Sequence, residues 1–213
     1  MSLFFFAWTR VASGGFPIFS RGRLTMIRIQ SGRLKGRSLP LPDPGKVRPT
    51  SGKVRSAVLN ILQNDLSGAV FWDLFAGSGA VGLEAFSRGA GEVLFLEKDP
   101  GLVRDLSSWI RKEIPEDASH LHPVCGDFSI LPDWKGPLPD ILFADPPYGY
   151  TEWPSLLNAL SENGILNHNF IMVLEYHRKD SLPWESLPHW GCRILSHHIY
   201  GESGVSLLLP SLR

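Results

Sequence analysis

Apolar and polar residues change places along this chain in three different rhythms. From Met26 the alternation is that of a strand: Ile27 and Ile29 share one side, a basic, glycine-containing turn follows over Ser31 to Arg37, and Leu39 and Leu41 resume the period of two. This pattern predicts a β-hairpin. After a proline-bounded loop from Pro42 to Pro49, Val54, Val58, Leu59 and Leu62 recur at helical spacing. A helix is therefore expected from about Gly52 to Gln63, capped by Thr50 or Ser51. Beyond Ser67, short apolar runs alternate with helical stretches, the signature of a parallel sheet covered on both faces.

In that region strands are expected at Val70 to Leu74, Glu92 to Leu96, His120 to Val124, Asp140 to Ala144 and Phe170 to Glu175. Helices are expected at Ala80 to Arg88, Pro100 to Arg111 and Trp153 to Glu162. Cys192 to Tyr200 and Val205 to Leu209, joined across Gly201 to Gly204, close the chain as an antiparallel hairpin. The reading is an α/β fold in which residues 26–66 form a basic hairpin and helix and residues 67–213 the main domain. Residues 1–25 show no clear periodicity and are expected to be a disordered extension or an upstream-start artefact ahead of Met26.

Composition narrows the class only a little. The 213 residues are 43% hydrophobic and 20% charged, with 21 basic and 21 acidic side chains, as expected of one globular core. Balanced charge leaves a polyanionic partner to be judged from how the charges are distributed. Cys125 and Cys192 have no companion ligands at metal spacing, so neither a disulfide framework nor a metal site is expected, and a reduced cytoplasm fits. The apolar run Leu3 to Trp8 is shorter than the roughly 20 residues that span a bilayer, and Arg10 follows it where a signal peptide carries its basic residues first. No membrane partner is expected.

Candidate chemistry begins after the first main strand, at Asp73-Leu74-Phe75-Ala76-Gly77-Ser78-Gly79-Ala80-Val81-Gly82. Glycines in a strand-to-helix turn let the backbone approach a ligand closely. A dinucleotide enzyme would seat a pyrophosphate there. Asp73, four residues before Gly77, points elsewhere, because a carboxylate at that position accepts from a cationic amino group, which S-adenosylmethionine has and a nicotinamide dinucleotide lacks. Glu97, with Lys98 beside it, ends the second strand where an acid can grip both ribose hydroxyls. Asp127 follows the third strand, placed to accept from an adenine amine, with Phe128 available to cover the ring. All of these fall at strand carboxyl ends, where open α/β sheets bind ligands.

The sharpest signal is Asp145-Pro146-Pro147-Tyr148, directly after the fourth strand. A purine amine is a poor nucleophile because its lone pair is delocalised into the ring, and hydrogen-bond acceptors on its two N–H groups draw that pair back. The Asp145 carboxylate can take one N–H and the Pro146 carbonyl the other, since consecutive prolines fix φ and add no competing donor. Tyr148 offers a face for a flipped base. With a sulfonium donor, in-line placement supplies much of the rate, and Asp145 or water can take the proton once the amine carries the methyl.

Arg28, Arg33, Lys35, Arg37, Lys46, Arg48, Lys53 and Arg55 crowd a stretch whose single acid is Asp43. That is a positive patch suited to phosphate contacts. At this point the residues resemble a known family, the bacterial small-subunit rRNA guanine-N2 methyltransferases of RsmD type. The likeness runs from Arg28-Ile29-Gln30-Ser31-Gly32-Arg33-Leu34-Lys35-Gly36-Arg37 through Arg48-Pro49-Thr50, Val54-Arg55 and Phe75 to Ala85, then Asp145 to Tyr148 and the Tyr200-Gly201 hairpin. It implies a seven-stranded, Rossmann-like methyltransferase sheet, mostly parallel with an antiparallel C-terminal hairpin and helices on both faces. It also implies S-adenosylmethionine as donor and one guanine of 16S rRNA, guanine-966, as target. A monomer acting on an assembling 30S particle in the cytoplasm is expected. The chain departs from the family in residues 1–25, in the acidic Glu113 to Asp117 connection where lysines are usual, and in Val81 and Phe86 for commoner leucines.

An adenine-N6 DNA methyltransferase and a non-catalytic RNA-binding assembly factor remain alternatives at this stage. Against the first, no spare segment is long enough for a DNA target-recognition domain. Against the second stand the intact acids and tetrapeptide. Glu175, ending the fifth strand, can face the cleft or solvent, and Trp153 can line the site or pack beside it. His177, His197 and His198 lack a matched ligand set.

Overall fold

The computed structural model describes residues 26–40, 51–162, 164–167, 169–180, 182 and 184–211. The expected loop at 42–49, Thr50 and the readings of residues 1–25 lie outside them. The expected hairpin forms: β1 (Met26–Arg28) pairs antiparallel with β2 (Ser38–Pro40), Ile27 opposite Leu39. Ser51 is the cap of α1 (Gly52–Ile61), its hydroxyl accepting from the Val54 N–H at 3.2 Å.

From there strands and helices alternate through β3 (Val70–Asp73), α2 (Ala80–Ser87), β4 (Glu92–Glu97), α3 (Pro100–Glu113), β5 (Leu121–Cys125), β6 (Ile141–Ala144), α4 (Trp153–Glu162) and β7 (Ile171–His177). The hairpin β8 (Cys192–Tyr200) and β9 (Ser203–Pro210) follows. Strands β3 to β9 form a seven-stranded sheet in the order β5-β4-β3-β6-β7-β9-β8, with β9 inserted antiparallel beside β7. The chain builds outward from β3 to β4 and β5, then returns to place β6 and β7 on the other side of β3. That reversal opens a crevice at the carboxyl ends of β3 and β6.

Residues alternate cleanly between two packed layers. Phe71, Phe95, Phe143 and Val173 pack with Val58, Leu83, Ile110 and the hairpin's Ile27 and Leu39 on one face. Trp72, Leu94, Leu142 and Leu174 pack with Leu156, Leu157 and Leu160 of α4 on the other. The hairpin and α1 thus share the sheet's core. Four short 3-10 segments, Pro115–His120, Phe128–Asp133, Ile165–Asn167 and Trp184–Trp190, complete the connections. None is long enough to display a period in sequence. No helix among the described residues is long and apolar enough to cross a membrane.

Candidate active site

The crevice at the switch point is a cleft of about 450 Å³, and it gathers Asp73, the Phe75 to Ser78 turn, Glu97, Lys98, Asp127, Phe128 and the Asp145 to Tyr148 element. Residues that the sequence places on four strands are therefore brought to one wall-to-wall site. Gly79 of the same turn caps α2 at φ 78° and Gly77 sits at φ 52°, a region that side chains beyond glycine enter at a cost. A second, more open hollow of about 500 Å³ lies at the amino ends of β3, β6 and β7, between Ala69, Ile141 and Ile171. It holds none of the clustered acids, and α/β sheets bind at the opposite end.

Asp73 is strongly perturbed by its place in the cleft. It is wholly buried and accepts from the Gly82 N–H at 3.1 Å, which ties the strand end to the first turn of α2. Burial, and next the carboxyls of Asp145 and Glu97, push its pKa up to about 7 against the pull of backbone N–H groups. Glu97 accepts from Gly77 N–H through Oε2 and from Asp99 N–H through Oε1, both at 2.8 Å. Each of those oxygens retains a second lone pair for a ligand hydroxyl. Asp127 accepts from the Ser129 N–H at 2.9 Å, and that serine holds its pKa below the usual range with help from Lys98. It is an exposed, ionised acceptor beside the half-buried Phe128.

This donor set can be tested against ligands. A pyrophosphate laid on the turn would meet three acids and a buried carboxyl that already resists ionising beside its neighbours. A ligand with a cationic amine, a sulfonium and a ribose instead relieves the Asp73 burden and satisfies Glu97. The residues therefore fit S-adenosylmethionine.

Across the cleft, Pro146 is buried while Pro147 and Tyr148 are exposed at the rim. The Tyr148 ring lies edge-on to His177, centroids 4.7 Å apart. Phe75 contacts Tyr150 at 5.4 Å and Tyr150 contacts Trp153 at 5.0 Å, both edge to face. Trp153 is 2% exposed and packs behind Tyr150, so the open question over it closes on packing. Glu175 is 5% exposed and lines the cleft with Tyr150, Ser51 and Ser203. Glu175, which the sequence leaves open between cleft and solvent, follows an apolar run as Glu97 does.

The basic stretch is used differently from its sequence expectation. Arg55 is corrected outright: it is buried, its Nε donating to Glu84 Oε2 at 2.7 Å and its Nη2 to the Arg28 carbonyl at 2.9 Å, so it faces the core and no phosphate. Arg33 pairs with Asp117 at 2.7 Å and lies 4.2 Å over the Phe86 ring. Arg37 donates to the Glu113 carbonyl and sits 4.0 Å from its carboxylate. The missing counter-charges thus come from the acidic 113–117 connection, far off in sequence. Arg28, Lys35 and Lys53 are exposed, with Lys53 in the first turn of α1 near the cleft-lining Ser51. Arg48 lies outside the described residues.

The family model described as "Conserved hypothetical protein 95" matches residues 27–208. The chain is 34% identical over 157 residues to the ribosomal RNA small subunit methyltransferase D of Escherichia coli strain K12, covering 74% of this chain and 78% of that protein. It is 31% identical over 180 residues to the Haemophilus influenzae protein of the same name, covering 82% and 93%. The solved structure of Escherichia coli yhhF superposes with a TM-score of 0.73 at 28% identity, over 89% of this chain and all of that one. By sequence span, identity and fold, the chain belongs to the conserved hypothetical protein 95 family, the RsmD family of methyltransferases.

Proposed function

We propose that the chain transfers the methyl group of S-adenosylmethionine to the exocyclic N2 amine of a guanine in 16S rRNA, guanine-966, on an assembling 30S particle. The observation that carries this reading is that Asp145 to Tyr148 shares one cleft with the glycine turn and its acids. The names of the relatives point to small-subunit rRNA as the substrate class. The step from there to one guanine amine rests on the resemblance and on the chemistry of the cleft.

In this reading the bound cofactor supplies an electrophilic methyl on sulfonium, which leaves as a thioether. Asp73 takes the ammonium of its methionine end, Glu97 the ribose hydroxyls, Asp127 the adenine amine, and Phe128 covers the ring, with Phe75 to Gly79 shaping the turn and Lys98 at its edge. Asp145 accepts one N–H of the target amine and the Pro146 carbonyl the other, directing the nitrogen lone pair toward the methyl. As N–C forms, one N–H proton passes to Asp145 or to water. Tyr148, stiffened by His177 and by Pro147, receives the base face. Arg28, Arg33, Lys35, Arg37, Arg48 and Lys53 supply phosphate contacts.

The test compares 30S particles, free 16S rRNA and duplex DNA as methyl acceptors, with digestion and mass spectrometry to identify the methylated nucleoside. N2-methylguanosine in the ribosomal substrates is expected. Asp145→Ala should abolish transfer and leave cofactor affinity nearly unchanged. Undiminished turnover in that variant, or methylated adenine in DNA, would refute the reading.

A further inference from the structure

Asp145 and Glu175 reach one cleft from adjacent parallel strands. β6 and β7 run parallel with Phe143 opposite Val173 and Ala144 opposite Leu174, and Asp145 and Glu175 are the residues that follow that last pair. Phe143 and Val173 pack on the same face of the sheet, and the period of two returns Glu175, within β7, to that face. Both line the cleft, and Glu175 is 5% exposed. On the far side of β7, β9 sets Ser203 opposite His177, and Ser203 lines the same cleft.

Burying a carboxyl next to another is unfavourable unless a donor meets it. The bases differ in what flanks the reactive amine. In guanine the N2 amine is followed by N1–H and then by O6, which reads donor, donor, acceptor. In adenine and cytosine the amine is followed by a ring nitrogen bearing a lone pair. Across β6, β7 and β9 the cleft offers acceptor, acceptor, donor: Asp145 with the Pro146 carbonyl, then the Glu175 carboxylate, then the Ser203 hydroxyl.

We propose that Glu175 is the residue that selects guanine, its carboxylate accepting from N1–H while Asp145 and Pro146 hold the N2 amine and Ser203 donates to O6. This rests on the amine transfer proposed above and adds what that transfer alone leaves open, since Asp145 and Pro146 serve an adenine amine equally well. An adenine in the same pose would set its N1 lone pair against the Glu175 oxygens, and sites built around a hydrogen bond discriminate strongly against the analogue that lacks it.

The discriminating substrate is 2-aminopurine, which keeps the 2-amine but has a lone pair at N1 and no oxygen at C6. Reconstituted 30S particles carrying guanine or 2-aminopurine at the target position are methylated by wild type, Glu175→Gln and Ser203→Ala, and kcat/KM is compared. Wild type should prefer guanine by roughly tenfold to a hundredfold. Glu175→Gln should narrow that preference to about threefold or less, because the glutamine amide can turn its NH2 toward the N1 lone pair. Ser203→Ala should lower the rate on guanine and leave that on 2-aminopurine unchanged.

Equal wild-type rates on the two particles overturn the proposal, whatever the variants do. A full preference retained by a folded Glu175→Gln, with wild-type melting and cofactor binding, overturns it too. If Glu175→Gln does not fold, the wild-type pair of rates decides alone. Failure to find N2-methylguanosine in the guanine particles sinks the underlying amine reading, which is a separate result from an unchanged preference.

Discussion

Arg55 on α1 donates through Nε to Glu84 on α2 at 2.7 Å, with side-chain exposures of 3% and 0%. Glu84 also accepts from Arg88 at 2.8 Å and, at 3.4 Å, from the Gln30 backbone N–H. One buried carboxylate therefore ties the hairpin and α1 to the main sheet. Removing one partner of such a pair strands the other, a loss of about 3–5 kcal/mol. Arg55→Ala and Glu84→Ala should each lower the unfolding free energy by that order, seen as a lower denaturant midpoint, and the double variant should fall well short of their sum. An Arg55→Ala protein with an unchanged midpoint and weakened RNA binding would return Arg55 to the phosphate-contacting set.

Asp73 makes the fold sensitive to pH in an unusual direction. Its pKa rises from the ordinary 3.8 to about 7 in the folded chain, so between those values the folded state holds a proton that the unfolded state has released. Stability from this group is full below pH 3.8 and declines as pH rises to about 7, by roughly 1.4 kcal/mol per pH unit inside that window. Asp73→Asn should melt higher than wild type at pH 8 and lose that advantage toward pH 4. Cofactor binding should show the reverse: a bound ammonium favours the carboxylate, so wild-type affinity should weaken below pH 7 with proton release on binding. Calorimetry in two buffers of different ionisation enthalpy measures that release, and its absence at pH 6 would remove the ammonium contact from Asp73.

Gly82 lies where α2 touches the sheet. A Cβ there would stand 2.5 Å from Phe95 Cε1 and 2.9 Å from Val93 Cγ1, and Phe95 is itself 1% exposed. Helix propensity favours alanine by about 1 kcal/mol, but overpacking a closed core costs about 1–3 kcal/mol, and the clash wins because a buried ring cannot withdraw. Gly82→Ala should therefore lower the melting temperature. It should also weaken cofactor binding, because the Gly82 N–H that Asp73 accepts moves with the helix. A higher melting temperature would contradict this packing argument.

Lys35 and Lys53 are exposed, whereas Arg33 is held by Asp117 and stacked on Phe86. A cation already paired releases fewer counterions when it meets a phosphate. Lys35→Ala with Lys53→Ala should weaken RNA binding and reduce the slope of log K against log salt by roughly 0.7–0.9 for each phosphate that is no longer neutralised. Arg33→Ala should change the slope less and stability more. Equal slopes for wild type and the lysine double variant would dismiss the hairpin and α1 as the RNA-facing arm.

Local sequence carries the elements and the chemistry held at strand ends. Strand and helix limits agree with their periodicity to within a residue or two, because both follow from local sterics and from which side of each segment is apolar. Asp73, Glu97, Asp127 and Asp145 were legible for the same reason: an acid closing an apolar run is a local signal. The tertiary structure alone decided which charges are paired and which neighbours share a wall. Arg33, Arg37 and Arg55 meet Asp117, Glu113 and Glu84 across long stretches of chain, so a segment nearly empty of acids is neutralised in part from elsewhere. The juxtaposition of Asp145 with Glu175 needs the register of β6 on β7, and Asp73 needs its burial. Pairing and desolvation depend on what folding brings within a few ångströms, which no local pattern encodes.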